Sequence, residues 1–487
     1  MRRLSIFEVS AGLLVSPAAD QSGLGLAGVP PGYWQQLASA GFDYVWLMGV
    51  WQRSEAARAQ ALAHPDVRRD YDRALPGWTN GDVAASPYAI KQYRIEPRFG
   101  DAGTVAEIRR NCRDLGMGLI LDFVPNHLAR DHDWTVAAPQ RFVRATPEVK
   151  ALAPEIFFAA APEVDLAYGK DPNFPPWTDT VQLNYFCAET RAAMIAELLA
   201  IAAHCDGVRC DMAMLALNDV FERTWGWAAP GARPSVEFWQ EAIAEVRQRF
   251  PEFLFIAEAY WGLEPQLLEL GFDYAYDRAL YDLLRHGDAA SVRHHLQRID
   301  DRVDAYVHFL ENHDEERALT AFGAERGRAA AVAMATMPGM KLIHDGQLEG
   351  RRVRVPVQLR RRPDEDRDPH MERFYRRLLT ATNCDPMAAW RIEHATPAWS
   401  GDVSHAHLLA WSWSYQQQSW LAVINFSAQP AQGRIFWIVS EAGEVELYDV
   451  LTDERFVRTA IELRDPGLYV DLPAWASHVF ALKQRRM

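Results

Sequence analysis

The feature that most constrains the fold is a repeated alternation of short apolar segments with amphipathic helical segments. In the helical segment 104–115, for example, Val105, Ile108 and Cys112 fall on one face. Neighbouring parallel strands must be joined by crossovers of helix length, so this alternation predicts a parallel sheet. The predicted strands are 4–9, 44–50, 118–124, 207–210, 254–257, 271–275, 306–310 and 341–344. Their number predicts an α/β fold, a (β/α)8 TIM barrel.

Two regions depart from this alternation. Residues 128–185 are rich in proline and aromatic residues, and their periodicity is weak. A segment of that length is too long for a plain loop and predicts an inserted subdomain. After about residue 395, short apolar segments separated by polar breaks predict a C-terminal antiparallel β-sandwich domain, 395–487. We therefore expect the barrel to comprise residues 1–127 and 186–394.

Composition excludes several classes of protein. The chain has 51 Lys and Arg against 65 Asp and Glu, a net charge of −14, which disfavours binding to nucleic acid or anionic membranes. No apolar run approaches the roughly 20 residues of a membrane helix. The 5 cysteines include no C-x-x-C pair, and Glu8 interrupts the apolar start of the chain, unlike a signal peptide. We expect a cytoplasmic protein with no nucleic-acid or membrane partner.

Ionisable side chains follow four of the predicted strands. The clusters lie at 121–127, 207–211, 255–259 and 308–314. The carboxyl ends of barrel strands converge on one pocket, so these side chains are expected to meet there. Acids, an arginine and histidines gathered in one pocket are costly to desolvate, which favours a functional role over a purely structural one.

Paired carboxylates are the groups that glycosidic bond cleavage requires. One carboxylate attacks or stabilises the anomeric carbon, and a protonated partner donates to the leaving oxygen. Crowding raises the pKa of one acid, and a nearby cation lowers the pKa of the other. Arg209 lies two residues before Asp211, so both face the same side of the strand. This pattern indicates Asp211 as the charged nucleophile and Glu258 as the proton donor.

The same clusters resemble, in order, the motifs of the α-amylase family, glycoside hydrolase family 13. This large group contains α-glucan-active hydrolases and transglycosylases. D-x-x-x-N-H appears at 122–127, G-x-R-x-D at 207–211, the acid motif at Glu258 and N-H-D at 312–314. The resemblance covers about residues 1–390 and implies the barrel, the inserted subdomain and a C-terminal β domain.

The resemblance implies a role for each site residue. Asp211 is the nucleophile, Glu258 the general acid/base, and Asp314 a third acid that holds the sugar hydroxyls in the transition state. The implied substrate-binding residues are Arg209, His127, His313, Asp122 and Tyr88. The family works with retention, so the two catalytic carboxyls should lie roughly 5–5.5 Å apart.

Some of these roles have structural alternatives. Asp122 is expected to shape its strand end, and Arg209 to orient Asp211. Tyr88 either stacks on sugar or packs, because Ser86 and Pro87 stand where the family usually has a glycine beside this ring. Among the 17 tryptophans, at least two of a set in loops or near strand ends are expected to line the cleft. That set is Trp51, Trp78, Trp134, Trp177 and Trp261.

Other positions depart from the family pattern or concern a metal. Met214 and Leu215 stand where many endo-acting amylases carry a Lys-His pair that grips the leaving sugars. Asn126 occupies a position that often ligates a structural calcium ion, which the chemistry itself does not require. Glu311, beside the last motif, is expected to be an inward ion-pair partner.

Three functions compete at this point. The first is a retaining glycosidase that hydrolyses α-glucosidic bonds, of the α-1,4 type, in gluco-oligosaccharides through a covalent intermediate and without a cofactor. The second is a transglycosylase, a glucosyl- or maltosyltransferase or a phosphorylase that uses the same site. The third is a non-catalytic carbohydrate-binding relative, which would be expected to have lost catalytic acids that this chain retains.

Overall fold

Eight parallel strands close into a barrel. The computed structural model of the protein describes residues 4–15, 23–229, 231–382, 388–415, 418–439 and 443–484. Each strand pairs with the next in chain order, and the eighth pairs with the first. The strands are Ser5–Ser10, Tyr44–Met48, Gly118–Phe123, Gly207–Cys210, Leu254–Ala257, Tyr274–Tyr276, Tyr306–His308 and Met340–His344. The predicted (β/α)8 barrel is confirmed.

Helices connect the strands and bury their apolar faces against them. In Ala102–Asp114 the buried residues are Val105, Ile108 and Cys112, the face that the sequence predicts. The other main connecting helices are Pro31–Ser39, Ala188–Ala202, Phe238–Arg249, Glu264–Glu269, Arg278–His286, Ala289–Arg298, Ala318–Phe322, Ala324–Thr336 and Pro369–Thr382. Across the described ranges, no helix combines the length and apolarity that crossing a bilayer would need.

The sixth strand begins later than predicted. The sequence places it at 271–275, whereas the structure places it at Tyr274–Tyr276. Gly271 has a φ of +111°, a left-handed conformation that an extended strand does not contain. Residues 271–273 therefore form the turn into the strand.

Two long segments extend from the carboxyl ends of the second and third strands. The first contains the helices Glu55–Ala63 and Pro65–Ala74, which were not predicted from the sequence, and an antiparallel pair formed by Trp51–Arg53 and Ile90–Ile95. In the second, His127–Ala129 pairs with Thr180–Gln182. This second segment also contains the helices Trp134–Ala137 and Pro147–Leu152 and the small sheet Arg144–Ala145, Val164–Ala167 and Phe157–Ala161.

The C-terminal region is built from two antiparallel sheets. The larger sheet has the order Ala388–Glu393, Leu408–Tyr415, Gln418–Asn425, Ser477–Gln484, Glu444–Asp449 and Arg455–Thr459. The smaller sheet consists of Ala395–Thr396, Ala431–Ile435 and Leu468–Leu472. Leu408, Leu447 and Leu482 of the larger sheet and Ile435 of the smaller one share an apolar core. The boundary at residue 395 stays a prediction, and the larger sheet already includes the strand before it.

One buried tryptophan joins the barrel to the C-terminal region. Trp411, in the larger sheet, donates a hydrogen bond of 2.8 Å from Nε1 to the hydroxyl of Thr336. Thr336 ends the barrel helix Ala324–Thr336, and both residues are buried. The contact therefore combines burial of a large ring with a hydrogen bond that satisfies its only donor.

We expect Trp411→Ala to lower the free energy of unfolding by about 3–5 kcal/mol, because it leaves a cavity where the ring is buried. Trp411→Phe keeps most of the apolar volume and should cost less. Chemical denaturation of the two variants and the parent chain measures both changes. Equal stability of Trp411→Ala and the parent would contradict this account of the interface.

Candidate active site

Asp211 and Glu258 lie side by side because of strand register. Cys210, the last residue of the fourth strand, pairs with Ala257, the last residue of the fifth. The next residue in each chain segment is the acid, so the two carboxylates leave neighbouring strands at the same level. Adjacent strands run about 4.8 Å apart, and this spacing brings the two side chains together.

Arg209 holds both acids. Its Nη1 donates a hydrogen bond of 2.6 Å to Oδ1 of Asp211. Its Nη2 lies 2.8 Å from Oε2 of Glu258, an ion pair without hydrogen-bond alignment. The Arg209 side chain is only 1% exposed, and its guanidinium lies 5.1 Å from the ring centre of Trp46 and 5.4 Å from that of Tyr88. One buried cation thus neutralises part of the charge of both acids.

Burial raises the pKa of Asp211 and of Glu258 above their ordinary values. The charge of Arg209 acts in the opposite direction on both acids, and the negative charge of Asp314 adds to the increase. The sequence pattern predicts that Arg209 lowers the pKa of Asp211. Arg209 has that effect, but burial outweighs it. The direct hydrogen bond from Arg209, rather than the direction of the pKa shift, distinguishes Asp211 from Glu258.

The turn after Asp211 also positions Glu258. The backbone N–H of Met212 donates a hydrogen bond of 2.6 Å to Oε2 of Glu258, and the Tyr260 hydroxyl donates one of 2.7 Å to Oε1. Met212 has a φ of +43°, an unfavourable conformation for a residue with a side chain. Ala213 donates from its N–H to the Glu258 carbonyl at 2.9 Å. The Met212 and Tyr260 bonds hold the Glu258 carboxyl from both sides, and the Ala213 bond holds its backbone.

The third acid is paired with a protonated histidine. Nε2 of His313 lies 3.0 Å from Oδ2 of Asp314, whose side chain is 51% exposed, and Nδ1 lies 2.5 Å from Oε1 of Glu8. Burial opposes protonation of His313, but the charges of Asp314 and Glu8 outweigh it and raise the pKa well above its usual range. Desolvation likewise opposes ionisation of Asp314. The charge of His313 outweighs it and lowers the pKa of Asp314 to about 2.

Tyr88 contacts His313, and Asp122 holds the end of the third strand. The Tyr88 hydroxyl lies 2.7 Å from Nε2 of His313, and the two rings stack with their centres 5.3 Å apart. Asp122 accepts hydrogen bonds from Nε1 of Trp46 at 3.0 Å and from the N–H of Gly49 at 2.7 Å. These two bonds tie the end of the third strand to the second strand and the loop that follows it.

His127 lies on the side of the inserted region. Its ring centre is 5.1 Å from that of Trp177, and burial lowers its pKa to about 4. His127 is therefore neutral near pH 7, in contrast to His313. It can donate or accept a hydrogen bond, but it does not add positive charge to the site.

The side chain of Asn126 is hydrogen-bonded to a neighbouring amide. Oδ1 of Asn126 accepts a hydrogen bond of 2.9 Å from Nε2 of Gln182, and its Nδ2 lies 3.3 Å from Oε1 of the same residue. Calcium sites are built largely from carboxylate and carbonyl oxygens. In the described part of the chain, no three His, Cys, Asp or Glu side chains are grouped to hold a metal. The Asn126 amide is thus engaged with Gln182, and structural calcium stays a prediction.

The remaining predicted positions differ in burial and in their contacts. Met214 and Leu215 are buried in the core, and Glu311 forms the expected inward ion pair, with its Oε1 3.0 Å from Nη2 of Arg317. Trp51 is buried, whereas Trp261 is 42% exposed. Of the five tryptophans considered, Trp177 contacts a predicted site residue through its ring.

Sequence reasoning missed Glu8 and Tyr260 as parts of the site. Glu8 is the only charged side chain in the apolar strand Ser5–Ser10, and it is fully buried. A lone charge in a buried strand was the available signal, because such a charge requires a partner. Tyr260 gave no comparable signal, since an uncharged side chain two residues after Glu258 does not reveal where its hydroxyl points.

We expect Glu8→Gln to lower the pKa of His313, because the substitution removes one of the two negative charges that raise it. Titration of the His313 ring nitrogens by NMR measures the change, and His127 serves as an internal reference. The folded pKa of His313 lies above its ordinary 6.5, so its stabilising contribution is complete below that pH and is lost as the pH rises through the folded value. An unchanged His313 pKa in the variant would contradict the pairing.

The chain is similar in sequence to proteins of known activity. Residues 34–180 match the family model of the alpha-amylase catalytic domain. The chain is 26% identical to alpha-amylase MalA of Haloarcula japonica over 373 residues, which cover 72% of this chain and 49% of that protein. It is also 26% identical to the 1,4-alpha-glucan branching enzyme GlgB of Thiobacillus denitrificans over 254 residues, 50% of this chain and 30% of the enzyme.

The fold of nearly the whole chain is also found in a solved structure. A noncanonic maltogenic alpha-amylase, AmyB from Thermotoga neapolitana, superposes with a TM-score of 0.71 at 18% identity and covers 99% of both chains. The chain spans about half the length of MalA and less than a third of GlgB. The resemblance indicated by the four motifs is therefore confirmed: the chain is similar to an alpha-amylase and to a branching enzyme, and part of it matches the alpha-amylase catalytic-domain model.

Proposed function

We propose that this chain is a retaining glycoside hydrolase that cleaves α-glucosidic bonds, of the α-1,4 type, in gluco-oligosaccharides. The observation that carries the proposal is the placement of Asp211 and Glu258 at the ends of neighbouring strands with Arg209 between them. Neighbouring strands are about 4.8 Å apart, close to the roughly 5–5.5 Å that separates the carboxyls of retaining glycosidases. The alpha-amylase among the relatives supports the substrate class.

In the first step, a carboxylate oxygen of Asp211 attacks the anomeric carbon while Glu258 gives its proton to the glycosidic oxygen. The bond between that carbon and that oxygen breaks, and the leaving sugar departs with a new hydroxyl group. The raised pKa of Glu258 favours its protonated form. The Arg209 hydrogen bond favours the ionised form of Asp211.

In the second step, ionised Glu258 takes a proton from water. The water oxygen forms a bond to the anomeric carbon, and the ester bond to Asp211 breaks. Both acids return to their starting protonation states. The sugar, water and the two carboxylates account for every bond and proton, so the proposed reaction requires no cofactor.

The other site residues are proposed to bind the sugar. Asp314 is held ionised by His313, and its exposed side chain is free to accept sugar hydroxyl donors. His313, His127 and Tyr88 are proposed to contact the cleaved sugar unit, and Asp122 to keep the end of the third strand in place.

We expect Asp211→Asn and Glu258→Gln each to reduce kcat on maltoheptaose by at least about a thousandfold, because each removes a group that exchanges bonds or protons. Glu325→Gln, at an exposed acid in a helix outside the site, is the matched control and should keep parent activity. Initial rates and thermal unfolding of all three variants separate lost chemistry from lost folding. Near-parent activity of either site variant would refute the assignment.

Transfer of the same intermediate to a sugar hydroxyl or to phosphate is the alternative function. Two observations support this alternative. A branching enzyme is among the relatives, and Met214 and Leu215 are buried where many endo-acting amylases grip the leaving sugars. In this case the acceptor oxygen replaces water in the second step, and Glu258 takes its proton from the acceptor.

Product lengths distinguish hydrolysis from transfer. Under the hydrolase proposal, every product of maltoheptaose is shorter than the substrate. Chromatography of the products, repeated with added phosphate and added trehalose, measures this directly. Products longer than the substrate, or phosphorylated sugars, would show that the function is transfer and not hydrolysis.

A further inference from the structure

Cationic side chains line a cavity of about 120 Å³ that does not include the acids of the candidate active site. Residues of the antiparallel pair Trp51–Arg53 and Ile90–Ile95 and of the helix Glu55–Ala63 contribute to its wall. Its cations are Arg53, Arg58, Lys91, Arg98 and Arg360. Two acids, Glu55 and Glu96, also line it, so the cations exceed the acids by three. The whole chain has a net charge of −14, so this local excess is opposite in sign.

All five cationic side chains of the cavity are half-buried. Arginine and lysine usually extend into water, because removing a charge from water is costly. Like charges gathered in a partly dry space also repel one another more strongly than they would in water. A concave group of this kind is expensive for structure alone, and an anion held within it would relieve both costs.

Neutral carbonyl groups hold the guanidinium of Arg53. Its Nη1 donates a hydrogen bond of 3.1 Å to the carbonyl of Ala85, and its Nη2 donates one of 3.3 Å to the carbonyl of Gly49. Its Nε is buried and has no hydrogen-bond partner within the described part of the chain. These contacts position the side chain but leave its charge without a hydrogen-bonded carboxylate.

Other cations act on the charge of Arg53. Burial lowers the pKa of Arg53 to about 10, the charges of Arg360 and Arg98 add to the decrease, and the charge of Glu96 opposes it. The guanidinium groups of Arg53 and Arg98 each lie 5.9 Å from the centre of the Phe99 ring. One aromatic ring therefore holds two like charges near each other at this cavity.

Arg58 and Lys91 are only loosely paired with acids. Nη1 of Arg58 lies 3.8 Å from Oε2 of Glu55, and Nζ of Lys91 lies 3.8 Å from Oδ2 of Asp131. Both distances exceed that of a hydrogen bond. Nε of Arg58 donates to the carbonyl of Val83 at 2.8 Å, which fixes the side chain without neutralising it.

A phosphate group suits this arrangement better than a carboxylate. A phosphate monoester carries a charge of about −1.5 to −2 near pH 7 and three acceptor oxygens, whereas a carboxylate carries one charge and two oxygens. Guanidinium groups donate to phosphate oxygens in pairs, and a lysine adds a compact point charge. The small volume of the cavity admits such a group but not a nucleic-acid strand.

We propose that this cavity binds a phosphate group, either as the free ion or at the end of a small metabolite. Arg53, Arg58 and Arg360 donate to its oxygens, and Lys91 supplies a further positive charge. The site is distinct from the pocket of Asp211 and Glu258.

Calorimetric titration of the full chain in phosphate-free buffer tests the site. Inorganic phosphate and glucose 6-phosphate are the probes, and saturable binding of at least one is expected. Lys91→Gln and Arg360→Gln should each weaken this binding by at least about tenfold, because each removes a charged donor. Lys150→Gln, at a lysine paired with Asp165 in the inserted region, is the matched control and should leave binding unchanged. Thermal unfolding of each variant verifies its folding.

The same titrations identify the source of the phosphate group. Tighter binding of glucose 6-phosphate, with the same dependence on Lys91 and Arg360, would identify a phosphorylated metabolite as the occupant, and tighter binding of inorganic phosphate would identify the free ion. Binding that neither substitution changes would overturn the proposal, as would absence of binding or equal affinity for acetate. No glucan is present in these titrations, so failure of the proposed catalytic function would not alter their outcome.

Discussion

The guanidinium of Arg209 is the group on which the site depends. It is buried at the centre of the barrel, with Asp211 and Glu258 on its two terminal nitrogens. Without this cation, two desolvated carboxylates on adjacent strands would repel each other. Removing one partner of a buried ion pair typically costs about 3–5 kcal/mol, since the remaining charge is left uncompensated. Arg209 therefore connects the stability of the strand ends to the protonation of the acids.

A second electrostatic chain passes through His313. It connects Glu8 of the first strand to Asp314 after the seventh, and it keeps His313 protonated and Asp314 ionised. The two chains hold the three acids in different states. Asp211 and Glu258 have raised pKa values, whereas Asp314 has a lowered one. Because the barrel brings all three to one end, a single pocket combines two acids of raised pKa with one of lowered pKa.

Several elements could be predicted from the sequence, and others could not. The fourth and fifth strands, Gly207–Cys210 and Leu254–Ala257, have the predicted bounds because each is a short apolar run that ends at ionisable residues. The edge strand Arg455–Thr459 was missed, since its side chains are largely exposed and give no strong alternation. Glu8 was missed as part of the site because its partner His313 is 305 residues away in the chain.

The sequence by itself determined the order of strands and helices, and which strand ends carry Asp211, Glu258 and Asp314, because periodicity and polarity are local properties. Only the tertiary structure decided how these groups interact. The register of Cys210 with Ala257 sets the acids side by side, and barrel closure brings Glu8 to His313. Burial then raises the pKa of Asp211 despite Arg209. Desolvation depends on everything that packs around a group, so no local pattern in the chain reports it.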